Sequence, residues 1–267
     1  MEKAFEEYLK KTNLSDNTRK SYQTAVRQYF GMYTKVDKAN LRSYKTHLIE
    51  EYKPKTVNLR IRAINCFLDS MDMGELKLSS IKIQQKTYLD NVISEADYEY
   101  FKKCLHNEDE MFWYYVIRFM AATGARVSEL IQIKAEHVKT GYIDLYTKGG
   151  KIRRLYIPEA LRKEALTWIE SRKITTGFIF LNRYGDKITT RGISGQLKKL
   201  GKKYEMNLKV IYSHSFRHRF AKSFLEQYND IALLADLMGH ENIETTRIYL
   251  RKTSSEQQAI VDKYVNW

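Results

Sequence analysis

The sequence predicts a mainly α-helical chain of two domains, the second carrying one small β-sheet. Most of the 267 residues set apolar side chains at helical spacing behind recognisable helix-start signals. One stretch, 142–158, instead alternates apolar with polar residues around a Gly-Gly turn. Residues 76–91 are polar, basic and weakly patterned, and they precede a fresh helix start, so the interdomain linker is placed there. A chain of this length suits two ordinary domains better than one. The expected domains run from about 1 to 85 and from about 92 to 267.

The first helix presents Phe5, Tyr8 and Leu9 as an apolar stripe. Ser15-Asp16-Asn17 supply an N-cap ahead of Tyr22, Ala25, Val26, Tyr29 and Phe30. Lys53-Pro54-Lys55-Thr56 opens another helix carrying Leu59, Ile61, Ala63, Ile64, Phe67 and Leu68, with Arg60 and Arg62 in the same region. Helix start and basic residues coincide there. Such a surface can lie on a DNA backbone, although a solvated helix face explains the same charges. Past the linker, Ser94-Glu95-Ala96-Asp97 starts a helical pattern that runs through Phe112 to Met120. After a break at Thr123-Gly124, a further helix is expected to carry Arg126, Glu129, Leu130 and Ile133. Residues 142–146 and 153–158 then read as a β-hairpin around Lys148-Gly149-Gly150-Lys151. Phe178-Ile179-Phe180-Leu181 is expected to add a small strand, and the remainder is helical.

Lys and Arg number 46 against 32 Asp and Glu, a formal net charge of +14. Residues 1–91 carry +6 of it and 92–267 carry +8, so both domains can face one polyanion. Cys66 and Cys104 lie in unrelated contexts without metal-ligand spacing, which argues against a disulfide framework or a zinc site. No apolar signal segment follows the first residues and no run of membrane-spanning length occurs. A soluble, cytoplasmic protein is expected, with no membrane partner.

Breaking a phosphodiester without a metal requires a nucleophile, positive charge on the non-bridging oxygens, and an acid for the departing oxygen. Arg126 follows the Ala122-Thr123-Gly124-Ala125 break near a helix start, where a guanidinium and free helix N–H groups can meet one phosphate. His214 and Arg217 are three apart, so they project from one helix face, with His218 and Arg219 expected to point elsewhere. Met238-Gly239-His240 closes a helical stretch from Ile231, with Gly239 suited to the position just past its end. Tyr249 follows nine residues after His240. A single tyrosine among 20 is ordinarily a packing residue.

The order Arg126, Lys148, His214-x-x-Arg217, His240, Tyr249 resembles that of the tyrosine recombinases, the phage integrase and Xer family. Residues 122–130 match the family's first arginine box, and 147–151 match its lysine-bearing hairpin. Residues 214–221, 237–240 and 245–249 match its second box, and 17–30 with 56–67 look like its core-binding domain. Nearly the whole chain is covered. The resemblance implies a helical, SAM-like core-binding domain followed by a mixed α/β catalytic domain.

It also implies that Tyr249 attacks the scissile phosphate, giving a 3′-phosphotyrosyl DNA and a free 5′ hydroxyl. Arg126 and Arg217 would clamp the non-bridging oxygens, and Lys148, or Lys151 three residues on, would protonate the leaving oxygen. His214 would act as base toward the tyrosine or help hold the phosphate. His240 would hydrogen-bond the phosphate, and Glu129 would orient Arg126. No metal or nucleotide cofactor is called for. The expected partners are double-stranded DNA and three further copies, a homotetramer on two recombination sites exchanging strands through a Holliday junction. An accessory DNA-bending or directionality protein stands as a further candidate. The tail stripe Ala259, Ile260, Tyr264 and Trp267 would dock on a neighbouring protomer or on its own domain. Ser215-Phe216 and Met238 depart from the commonest family residues without removing a reacting group, and no arm-binding domain is expected before residue 1. Rival readings are a type IB topoisomerase-like enzyme, a non-catalytic DNA-binding relative and a metal-dependent nuclease. The last lacks a carboxylate cluster suited to Mg²⁺.

Overall fold

In a computed structural model the chain forms two compact units, 1–85 and 86–267, and the structure describes residues 2–83, 91–146, 152–252 and 254–265. The first unit holds α1 (Glu2–Lys11), α2 (Asp16–Met32), α3 (Lys38–Glu51) and α4 (Pro54–Ser70), then a 3₁₀ turn at Gly74–Leu76. The caps follow the chemistry of the sequence. Ser15 Oγ accepts from the Thr18 amide, Asp37 from the Asn40 amide, and Pro54 takes the first turn of α4, where no amide is needed. Val57, Ile61, Ile64 and Phe67 repeat at helical spacing and are buried against Tyr29, Tyr44 and Phe5. Arg60 lies over the Tyr52 ring at 4.0 Å, whereas Arg62 is exposed.

Residues 76–91 read as a linker in sequence, yet the first of them are fastened to α4. Asn58 exchanges two hydrogen bonds with the Ile81 backbone (2.8 and 2.9 Å), and Asn65 exchanges two with Leu78 (both 2.9 Å). Seven helical residues rise about 10.5 Å, close to the reach of three extended ones, so the two asparagines on one face of α4 match Leu78 and Ile81 in antiparallel order.

The second unit contains α5 (Glu95–Asn107), α6 (Met111–Thr123), α7 (Val127–Leu130), α8 (Ala135–Thr140), β1 (Tyr142–Tyr146), β2 (Ile152–Tyr156), α9 (Glu159–Ser171) and α10 (Thr190–Lys203). It continues with α11 (Ser213–Tyr228), α12 (Ile231–Met238), α13 (Ile243–Arg247), a 3₁₀ turn at Ile248–Leu250 and α14 (Ser254–Tyr264). Helix α6 is apolar nearly all round and forms the middle of the core, with α5, α9 and α11 packed on it. Ser215 is fully buried because its Oγ accepts the Ile93 amide at 2.8 Å, and Tyr212 reaches the Asn91 carbonyl. The start of the unit is thereby tied to the start of α11.

Strands β1 and β2 pair antiparallel, with Tyr142 opposite Tyr156 and Tyr146 opposite Ile152. On the outer face Arg154 forms a two-pronged pair with Asp144 and covers the Tyr142 ring. The inner face carries Ile143, Leu155 and, in phase with them, Arg153. Two expectations need correction. The helix after the Thr123-Gly124 break stops at Leu130 after one turn, because the chain must extend so that Ile133 can accept the Ile179 amide. Phe178–Leu181 forms isolated bridges, Lys134 with Phe178 and Leu181 with Lys187, and no strand. Its backbone pairing is confined to the Ile179 amide on Ile133 O and the Ile188 amide on Phe180 O, too little to build a ladder.

Replacing Asn58 with Ala should strip two partly buried backbone groups of their partner and destabilise the first unit by about 1–2 kcal/mol. Hydrogen exchange of the full chain should show the loss first at the Ile81 amide.

Candidate active site

Three consecutive carbonyls at the end of α12 gather three arginines. Leu237 O accepts from Arg153 Nε at 2.8 Å, Met238 O from Arg217 Nη2 at 2.6 Å, and Gly239 O from Arg126 Nη2 at 3.4 Å. Carbonyls at a helix C-terminus carry the negative end of the helix dipole, so cations are favoured there. Arg217 also donates to the Gly124 carbonyl just past the end of α6. Both closing glycines are left-handed, Gly124 at φ 63° and Gly239 at φ 61°. A Cβ on Gly239 would lie 2.3 Å from Arg153 Cδ, so the arginine's seat itself requires glycine.

Glu129 is the counter-ion. It takes the Arg126 amide at 2.7 Å, reaching back from the third position of α7 as in a capping box, and the Arg126 guanidinium at 2.9 Å. Arg153 Nη1 donates to it at 2.8 Å, and Arg217 lies 4.0 Å away. Burial pushes its carboxyl pKa up, but Arg153 and Arg126 outweigh this and leave it below the ordinary value. Burial lowers Arg217 to about 10, with Arg126 and Arg153 adding to the effect. It remains a cation at neutral pH. The Arg153 and Arg217 side chains are 4% and 3% exposed, whereas Arg126 is 35% exposed and can meet a ligand directly. Three guanidinium charges face one carboxylate, an arrangement that attracts an anion.

His240 follows Gly239, and its Nε2 lies 3.1 Å from Arg217 Nη2. Arginine only donates, so this nitrogen accepts; the ring proton is then on Nδ1, donated to Thr246 Oγ1 at 2.7 Å. Burial and then Arg217 lower His240 to about 4, so the ring is neutral. Tyr249, in the 3₁₀ turn, is 5% exposed and packs with Ala221, Leu225, Leu234 and Met238. Burial raises its pKa, with Arg217 and Arg126 opposing, so the phenol keeps its proton at neutral pH.

The structure thus brings Arg126, Arg217, His240 and Tyr249 together. His214 is exposed at the start of α11, and its ring stacks on that of His218 at 6.2 Å between centroids. Lys148 and Lys151 lie outside the described residues. Contrary to expectation, His218 points into the site: its Nδ1 is 3.2 Å from the Tyr249 hydroxyl. The four-residue interval from His214 puts both rings on one face of α11, a signal present in the sequence. Arg153 was likewise legible, as a charge in phase with the buried residues of its strand. Thr246, fully buried beneath His240, had no such mark.

The phage integrase family model matches residues 91–256. The chain belongs to the phage integrase family. It is a site-specific DNA recombinase, an enzyme that cleaves and rejoins DNA. The recombinase is 28% identical over 268 residues to the tyrosine recombinase XerA of Pyrococcus horikoshii, covering 97% of this chain and 91% of the relative. It is 27% identical to the TnP I resolvase of Bacillus thuringiensis, covering 92% and 93%. Its fold is also that of the Tn1549 transposon integrase solved in complex with transposon right end DNA, with a TM-score of 0.72, 17% identity and 99% of each chain covered.

Glu129→Ala should destabilise the recombinase by about 3–5 kcal/mol at neutral pH, because buried arginines lose their counter-charge. A carboxyl held below its ordinary pKa of 4.5 stabilises the fold above that value and loses the effect as pH falls through the lower folded value. The gap in unfolding midpoint between variant and parent should therefore narrow in acid, as urea titrations over a pH series would show.

Proposed function

We propose that the recombinase acts on double-stranded DNA through a covalent 3′-phosphotyrosyl link formed by Tyr249, with no metal or nucleotide cofactor. The observation that carries this reading is that the Tyr249 ring packs on Met238 and His240, the two residues that also hold Arg217, one of three arginines gathered on the end of α12. Arg126 and Arg217 take the non-bridging oxygens, where two-pronged guanidinium contacts suit the growing charge of the transition state. His214, exposed one turn before His218, helps hold the phosphate. A phosphate that draws Arg217 Nη2 away from His240 lets the ring take its other tautomer, with Nε2–H donating to a phosphate oxygen and Nδ1 accepting from the Thr246 hydroxyl. Lys148 is assigned as the acid on the 5′ oxygen. Because the phosphotyrosyl link retains the energy of the broken phosphodiester, rejoining needs no ATP.

The first unit is assigned as the DNA-binding domain, with exposed Lys53, Lys55 and Arg62 on and before α4 meeting backbone phosphates. Strand exchange proceeds through a Holliday junction in a homotetramer spanning two sites. Helix α14 supports the assembly: Ile260, Val261 and Tyr264 are 38%, 49% and 61% exposed, an apolar face suited to docking on a neighbouring copy. Trp267, which the sequence places in the same stripe, lies outside the described residues. An accessory DNA-bending or directionality protein would set the direction of the reaction, and the cytoplasm is the assigned compartment.

The test is covalent trapping. Nicked duplexes carrying DNA from beside the recombinase's own gene should give an SDS-resistant complex in EDTA, and Tyr249→Phe should abolish it while salt-dependent binding persists. Binding without any complex would sink the reading.

A further inference from the structure

His218 enters the site from α11, beside Tyr249. Its Nδ1 lies 3.2 Å from the Tyr249 hydroxyl, and its ring is tilted against the phenol with centroids 5.4 Å apart. Arg217 is engaged elsewhere, donating to the Gly124 and Met238 carbonyls and to His240 Nε2. In the tautomer that leaves Nδ1 unprotonated, His218 accepts the phenolic hydrogen. His214, the residue that motif order nominates as base, is exposed one turn earlier on α11 and meets His218 ring to ring.

We infer that His218 is a further catalytic residue, the base that takes the proton of Tyr249. As the phenolic oxygen forms its bond to phosphorus, its proton passes to His218 Nδ1. The bond from phosphorus to the 5′ oxygen breaks with its electron pair, and that oxygen takes a proton from the Lys148 ammonium. On rejoining, the 5′ hydroxyl returns its proton to the lysine, the phosphorus–tyrosine bond breaks, and the protonated His218 restores the phenol. No oxidant, metal or further reactant enters either step. The packing supports the role: Tyr249 is buried on α11 and α12, so bulk water is a poor acceptor for its proton and a neighbouring side chain must serve.

The inference rests on Tyr249 being the nucleophile, so it is tested on a nicked duplex recovered by its Tyr249-dependent covalent capture; failure here leaves that reading intact. His218→Asn keeps a polar side chain of similar reach but cannot hold a proton. It should slow covalent complex formation by about 10²-fold or more, the usual contribution of a positioned base. DNA binding should be unchanged. Difluorotyrosine is then incorporated at position 249, a phenol that ionises far more readily. If His218 is the base, the His218→Asn defect should shrink to within about tenfold, since an already ionised nucleophile needs no acceptor. A merely structural role would leave it undiminished by fluorination. His218→Gln, run in parallel, guards against a local packing fault in the Asn variant. An undiminished defect in both variants, or rescue of His214→Asn in their place, overturns the inference.

Discussion

The site depends on a single physical arrangement, the seating of three like charges on the carbonyl end of α12 with Glu129 among them. Unit charges about 4 Å apart repel by about 4 kcal/mol at the effective dielectric typical of a protein surface, so three guanidinium groups do not gather unaided. Leu237, Met238 and Gly239 supply oriented dipoles, and Glu129 supplies a full negative charge to Arg126 and Arg153 together. Other features follow from this. Gly239 must be glycine to leave room for Arg153, Arg153 must stand on the buried face of β2, and His240 must be neutral because its free nitrogen faces a donor. The remaining positive charge is the part left to a phosphate.

The two halves of the chemistry rest on elements of different stiffness. The arginines are held by hydrogen bonds to helix ends and to a carboxylate, and two of the three are nearly inaccessible to solvent. Tyr249 instead belongs to a three-residue 3₁₀ turn and is held by ring packing, including on His218 and His240, and by a hydrogen bond with His218. Such a preformed electrostatic cradle costs little reorganisation when charge develops on the phosphate. Movement is left to Tyr249, the proposed nucleophile, whose short turn has few backbone bonds to break.

Much of this was legible in the residues themselves. Caps at Ser15 and Ser94, the helical stripes and the alternation at 142–146 and 153–158 mark the helices and the sheet seen among the described residues, because local chemistry decides them. Arg126, Arg217, His240 and Tyr249 were nominated by motif order and do converge. What escaped notice depends on contacts distant in sequence. The role of His218 appears only when Tyr249, 31 positions later, folds back on α11. The end of α7 at Leu130 is imposed by residues near 179, and the segment around Leu78–Ile81 is polar in composition yet anchored by two asparagines on α4. The apolar run at 178–181 is buried on both sides as a central strand would be, and periodicity does not reveal that its backbone makes only isolated bridges.

The arginines serve the architecture as well as the reaction, and this bears on how such a protein can decay. Arg217 closes the ends of two helices from a position almost sealed from solvent, so its loss would damage the scaffold along with the chemistry. Tyr249 contributes mainly an aromatic ring to its surroundings, and phenylalanine supplies the same ring. A descendant relieved of selection for strand cleavage but kept for occupying its site would therefore shed the hydroxyl long before the guanidinium groups. In such a lineage an intact arginine set would testify to ancestry and foldedness, and, with Tyr249 as the proposed nucleophile, the residue at 249 would be the first to record that the chain no longer cuts.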